Sequence, residues 1–129
     1  MTTEHLTAAE YRQKFVKSGA NSRAKGKTHI QGRMNGLEEK YARFLMDKLN
    51  AGEVTLFRFE SVKLRLADKT YYTPDFMVLD KDGMITFHEV KGFWQDDARV
   101  KIKVAAEQYP EFGFVAVKLV KGQWQTENF

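Results

Sequence analysis

A chain of 129 residues with 43% hydrophobic and 29% charged side chains has the size and make-up of one globular domain, enough for a single core. The absence of cysteine excludes disulfides, thiolate metal sites and a cysteine nucleophile. No apolar run approaches the ~20 residues needed to span a bilayer, and the first residues lack the apolar stretch of a signal peptide, so a cytoplasmic protein is expected.

The formal charge of +4 is unevenly spread. Residues 1–36 carry Arg12, Lys14, Lys17, Arg23, Lys25, Lys27 and Arg33 against Glu4 and Glu10, and the rest of the chain is close to neutral. Such a cationic arm suits contact with nucleic-acid phosphates, where bound counterions are released. A solvated tail is the alternative.

In chain order, residues 7–17 can form a short helix with Thr7 as N-cap and Glu10 three positions on. Residues 18–36 show no helical or strand period and read as a flexible arm. We therefore divide the chain into a basic arm, 1–35, and a folded domain, 36–129. In the domain, Leu37, Tyr41, Phe44, Leu45 and Leu49 recur at helical spacing before Asn50 and Gly52 stop the helix. One strand is predicted within 53–68, where Val62, Leu64 and Leu66 alternate with Lys63 and Arg65. A second covers 71–80, and after the turn Asp80-Lys81-Asp82-Gly83 a third covers 84–92, paired antiparallel with the second. A helix capped by Asp96 or Asp97 then runs to about Gln108, with Val100, Val104 and Ala105 on one face and Arg99 and Lys103 on another. Phe114–Val120 reads as a buried strand, with a short strand near Trp124. The expected fold is α/β, a mixed sheet flanked by helices in the order helix, three strands, helix, strand.

Chemistry concentrates in Thr73-Pro74-Asp75-Phe76 and His88-Glu89-Val90-Lys91-Gly92. Side chains two apart on a strand share a face, so Glu89 and Lys91 point one way and His88 and Val90 the other. The hairpin turn brings Asp75 level with Glu89. Both acids interrupt apolar strand sequence, where an unpaired charge is costly. Two converging carboxylates favour a cation between them, and Mg²⁺ takes oxygen ligands and keeps several waters. Asp75, Glu89 and the Val90 carbonyl can supply ligands, and Lys91 can orient a water or offset charge on a phosphate. A cross-strand salt bridge among Asp75, Glu89 and Lys91 is the bland alternative.

Gly36-Leu37-Glu38, then Tyr72-Thr73-Pro74-Asp75-Phe76, then Glu89-Val90-Lys91-Gly92 together resemble the PD-(D/E)XK nuclease motif, as found in small bacteriophage and prophage nucleases. Some of these are related to Holliday-junction resolvases of the endonuclease I type. The resemblance covers roughly residues 33–120. It implies a restriction-endonuclease-like core and Mg²⁺-dependent cleavage of DNA, with Mn²⁺ as a substitute, in a bacterial or phage-infected cell. It makes Asp75 and Glu89 metal ligands, Lys91 the catalytic lysine, and Glu38 the residue completing the site, with adjacent Glu39 the other choice. Branched DNA is the substrate it implies, and a two-fold homodimer would present two sites to two opposed strands.

Arg23, Lys25, Lys27, Arg33, Arg99 and Lys103 are the candidate phosphate contacts. Phe93 and Trp94 can stack on an unpaired base or cover the core. His88 reads as a packed histidine, and His5, His29 and His88 are too scattered for a zinc site. No nucleotide-binding glycine loop is present, so no nucleotide cofactor is expected. The rival functions are a catalytically silent DNA-binding protein of the same fold and a nuclease acting on ends or single strands.

Overall fold

In the computed structural model, which describes residues 32–92 and 96–129, the chain folds around a five-stranded mixed sheet with two helices. Helix α1 (Gly36–Asn50) starts at a reciprocal cap. The Asn35 side chain accepts from the Glu38 N–H at 2.8 Å, and Glu38 Oε1 accepts from the Asn35 N–H at 2.9 Å. This arrangement satisfies two of the donors that a helix start leaves exposed. Its buried face is Glu38, Tyr41, Ala42, Leu45 and Met46, while Leu37, Phe44 and Leu49 pack at the margin.

Seven strands follow or flank the second helix: β1 (Val54–Phe59), β2 (Leu64–Ala67), β3 (Thr70–Tyr72), β4 (Phe76–Asp80), β5 (Ile85–Val90), then α2 (Asp96–Gln108), β6 (Gly113–Val120) and β7 (Gln123–Asn128). The main sheet has the order β1-β4-β5-β6-β7, and β2-β3 form a separate hairpin. All pairs are antiparallel except β5 with β6. A parallel pair needs a crossover, and α2 supplies it. Helix α1 and its cluster, with Phe57, Phe76, Val78, Val90 and Val117, cover one face of the sheet. Phe87 and Phe114 on the other face pack with Ile102 and Ala105 of α2 and with Leu64, Leu66 and Tyr72 of the small hairpin.

Several expectations change. The stretch predicted as one strand within 53–68 is two strands in different sheets. The break falls at Glu60, a non-glycine residue at φ 47°, whose N–H donates to the Asp75 carbonyl at 2.8 Å. That long-range bond offsets an unfavourable local conformation. The strand predicted over 71–80 is likewise divided by Thr73-Pro74-Asp75, as a proline without an N–H cannot sit inside a ladder. Asp75 therefore lies in a bend just before β4, not on a strand. Over the described residues the order is helix, five strands, helix, two strands. On α2, Val100 is 57% exposed, and Ile102 and Ala105 form the buried face with partly buried Val104. Asp96 and Asp97 both lie inside the helix.

Met34, assigned from sequence to the arm, is buried in the core with α1. The predicted helix over 7–17 lies outside the described residues. Among the described residues, no helix is long and apolar enough to cross a membrane.

Candidate active site

The β4–β5 hairpin fixes the centre of the site. Its turn is held by Asp80 Oδ1, which accepts from the N–H groups of Asp82 and Met84 at 2.9 Å each, and by Gly83 at φ +85°. With Phe76 opposite His88, Asp75 stands beside Glu89 at the far end. The Asp75 N–H points to Glu89 Oε1 at 3.3 Å, and the Val90 N–H donates to Asp75 Oδ2 at 2.9 Å. The two carboxylates thus meet at one end of the sheet, not on opposite faces.

The period of two holds through β5. Glu89 is buried, accepts from the Tyr72 hydroxyl at 2.8 Å, and pairs through Oε2 with Lys91 Nζ at 3.1 Å. His88, on the opposite face, meets the Tyr41 hydroxyl at 2.5 Å through Nδ1 and lies against the Tyr41 ring. Burial lowers the His88 pKa to about 4. It is a packed, neutral histidine, as its position in the sequence suggests.

Two further acids arrive from elsewhere. Glu38, 4% exposed, comes from the first turn of α1. Glu60 comes from the end of β1, and its Oε2 accepts from the Gly32 N–H at 2.7 Å. Carboxylate oxygens of Glu38, Glu60 and Asp75 all lie within 4.8 Å of one another. With Asn35, Lys63, Thr73, Glu89, Val90 and Lys91 they line a cleft of about 500 Å³. Each of the four acids is held by at least one donor: the Asn35 N–H on Glu38, the Gly32 N–H on Glu60, the Val90 N–H on Asp75, and on Glu89 both the Tyr72 hydroxyl and Lys91.

Crowding shows in the titration of the site. Desolvation, followed by the Glu89 and Glu38 carboxylates, raises Asp75 well above the usual carboxylate range, against the lowering effect of the Val90 N–H. Burial, and then the charge of Glu89, pushes the Tyr72 hydroxyl up as well, so it stays a donor at any physiological pH. Like charges gathered in a desolvated cleft hold protons unless a cation takes their place. The donors are carboxylate oxygens with no sulfur or imidazole among them, which suits a hard divalent ion such as Mg²⁺.

No protein-family model, curated protein or solved structure matches the chain.

Of the residues singled out from sequence, Glu38, Asp75, Glu89, Val90 and Lys91 line this one cleft. Glu39, the alternative to Glu38, does not line it. Arg99 and Lys103 line a separate depression on α2 and β7. Arg33 is exposed and absent from the cleft lining. Arg23, Lys25, Lys27, Phe93 and Trp94 lie outside the described residues. Glu60, Lys63 and the Tyr72 hydroxyl are the site groups that sequence reasoning missed. The signal for Glu60 was an acid ending the apolar stretch Val54–Phe59, the same feature that drew attention to Asp75 and Glu89.

Proposed function

We propose that the chain is a metal-dependent endodeoxyribonuclease of the PD-(D/E)XK type. The observation that carries this reading is the convergence of Glu38, Glu60, Asp75 and Glu89 with Lys91 on one cleft, from four segments distant in sequence. A restriction-endonuclease-like core is supported by α1 beside the catalytic hairpin and by the parallel β5–α2–β6 crossover. Glu38, Glu60 and Asp75 would hold a Mg²⁺ or Mn²⁺ ion, with Glu89 and the Val90 backbone at its side. When bound, such an ion polarises a phosphate oxygen and lowers the pKa of a coordinated water.

The protein groups have separable roles. Glu89 anchors Lys91 at 3.1 Å, so the ammonium group is held at the cleft, able to orient the attacking water by a hydrogen bond and to offset negative charge growing on the phosphate. The Tyr72 hydroxyl fixes the rotamer of Glu89. A four-way or otherwise branched DNA is the substrate suggested by the motif resemblance, and a two-fold homodimer would present two sites to two strands. The reading as a silent DNA-binding protein is disfavoured by the complete acidic set, because four buried or half-buried acids are costly to keep without a cation.

The test is cleavage of a four-way junction, a duplex and a single strand of matched sequence, each with Mg²⁺, Mn²⁺ or EDTA. The junction should be cut only with a divalent ion, and Lys91→Met should abolish cutting while binding persists. Full activity of Lys91→Met, or no cutting of any substrate with either ion, would sink the assignment. Preferential cutting of the single strand or of ends would keep the chemistry and change the substrate.

A further inference from the structure

The catalytic cleft does not stop at Lys91. A second, smaller depression shares that lysine and continues across β6 and β7 past Lys118 and Gln125 to Glu127. A third shares Glu127 with the second and reaches Arg99 and Lys103 on α2. The pairing register explains this continuity. Glu89 is opposite Ala116, and Ala116 opposite Glu127, so these three form one row across β5, β6 and β7. Lys118 and Gln125 are paired and, by the two-residue alternation, form the next row on the same face. Both Lys118 and Gln125 are exposed.

Charge along this path is cationic once the acids of the cleft are passed. Lys91, Lys118, Lys103 and Arg99 face two acids, Glu107 and Glu127, and Arg99 engages the Glu127 carboxylate through both of its terminal nitrogens. The part next to the cleft has no aromatic side chain among the described residues. Its described side chains offer ammonium and amide donors, which suit phosphate oxygens, and include no ring on which an unstacked base would lie. From β5 to β7 is two strand spacings, about 10 Å. At about 3.4 Å of rise per nucleotide in one strand of a duplex, that is roughly three nucleotides.

We infer that one strand of duplex DNA leaves the catalytic cleft across β6 and β7, its backbone held by Lys118 and Gln125 for roughly three nucleotides beyond the cleaved phosphate. This rests on the nuclease reading and gives it a direction and a substrate form. Glu127 tempers the path, because its carboxylate occupies Arg99 and repels the strand.

The experiment measures binding of a fluorescein-labelled duplex of roughly two helical turns to the full chain by anisotropy over a salt series. The Asp75→Asn background keeps the DNA uncut. Lys118→Glu should raise Kd about tenfold and make the salt dependence shallower by about one released counterion. Lys81→Glu, an equal change of charge in the hairpin turn at the far end of β4 and β5, should stay within about twofold. Glu127→Gln should tighten binding about threefold, an improvement that misfolding cannot produce. Equal losses in Lys118→Glu and Lys81→Glu, weaker binding by Glu127→Gln, or no duplex binding at all would overturn the path. Cleavage assays with otherwise unaltered chains separate the two claims. If the binding series behaves as expected but no divalent ion yields cutting, the surface stands and the nuclease reading falls. If Lys118→Glu cuts duplex with unchanged KM, the surface falls and the chemistry stands.

Discussion

Replacing Asp75 with asparagine should make the metal-free protein more stable while removing its response to metal. Asparagine keeps the shape of the side chain. Its carbonyl can still accept from the Val90 N–H, which reaches Asp75 Oδ2 at 2.9 Å, and its amide can donate to a neighbouring acid. What disappears is one negative charge from a cluster whose oxygens lie within 4.8 Å of one another. At an effective dielectric of about 20, two unit charges at 4.8 Å repel by about 3.5 kcal/mol. Retention of a proton by Asp75 offsets part of that, leaving a gain on the order of 2 kcal/mol at neutral pH, or about 5–10 °C in Tm. The pKa of Asp75 is raised on folding. Its contribution to wild-type stability is therefore fully present below the unfolded pKa and lost as pH rises through the folded one. The advantage of Asp75→Asn should accordingly be small in acid and grow towards neutrality. Melting followed by circular dichroism, in EDTA and in Mg²⁺, provides the check. With Mg²⁺ at a hundred times its Kd, the wild type should gain about 2.7 kcal/mol and the variant much less. A variant that melts below the wild type in EDTA, or that Mg²⁺ stabilises equally, would refute the reasoning.

Three further outcomes are expected. Tyr72→Phe removes only the hydroxyl that donates to Glu89; the fold should persist, and metal affinity measured by calorimetry should fall about 10- to 100-fold, as for other residues that orient ligands. Glu60→Gln can still accept from Gly32 but loses its charge, so affinity for Mg²⁺ should fall while Tm in EDTA holds or rises; unchanged affinity would remove Glu60 from the site. His88 has its pKa lowered from 6.5 to about 4 by burial, so its stabilising effect is present above 6.5 and lost as pH falls towards 4. At about 1.4 kcal/mol per unit this is about 3 kcal/mol, to be measured by urea unfolding across that range in the Asp75→Asn background, where the opposite slope from Asp75 is absent.

Sequence patterning reached α1 and the β4–β5 hairpin because their determinants are local. Tyr41 and Leu45 mark a helical stripe, and Asp80–Gly83 is a turn in its own right. The division between β1 and β2 is different. It depends on a bond from Glu60 to the carbonyl of Asp75, fifteen positions away in sequence, which no local pattern records. Of the face predicted for α2, Ala105 and Val104 pack on the core and only Val100 does not, for a simpler reason. Val100 is the more conspicuous apolar residue, but Ala98, Ile102, Ala105 and Tyr109 carry the helical spacing, and Ile102 and Ala105 are the two that the core buries. In the site, Asp75, Glu89 and Lys91 were legible because a single hairpin brings them together. Glu60 and Tyr72 are not part of that hairpin, and only the three-dimensional closure of β1 and β3 against it brings them in.

The donors that hold the acids of the cleft bear on which ion a metal site there would prefer. A carboxylate oriented by a main-chain N–H, as Glu38, Glu60 and Asp75 are, is not free to turn both oxygens towards one cation. Calcium, which commonly takes both oxygens of an acid and six to eight ligands in all, would have to pull Glu38 from the cap of α1 or Asp75 from Val90 to be satisfied. A small octahedral ion that accepts one oxygen from an acid and keeps its waters would need no such rearrangement, so the hydrogen bonds that hold the acids in place would also select on ionic size.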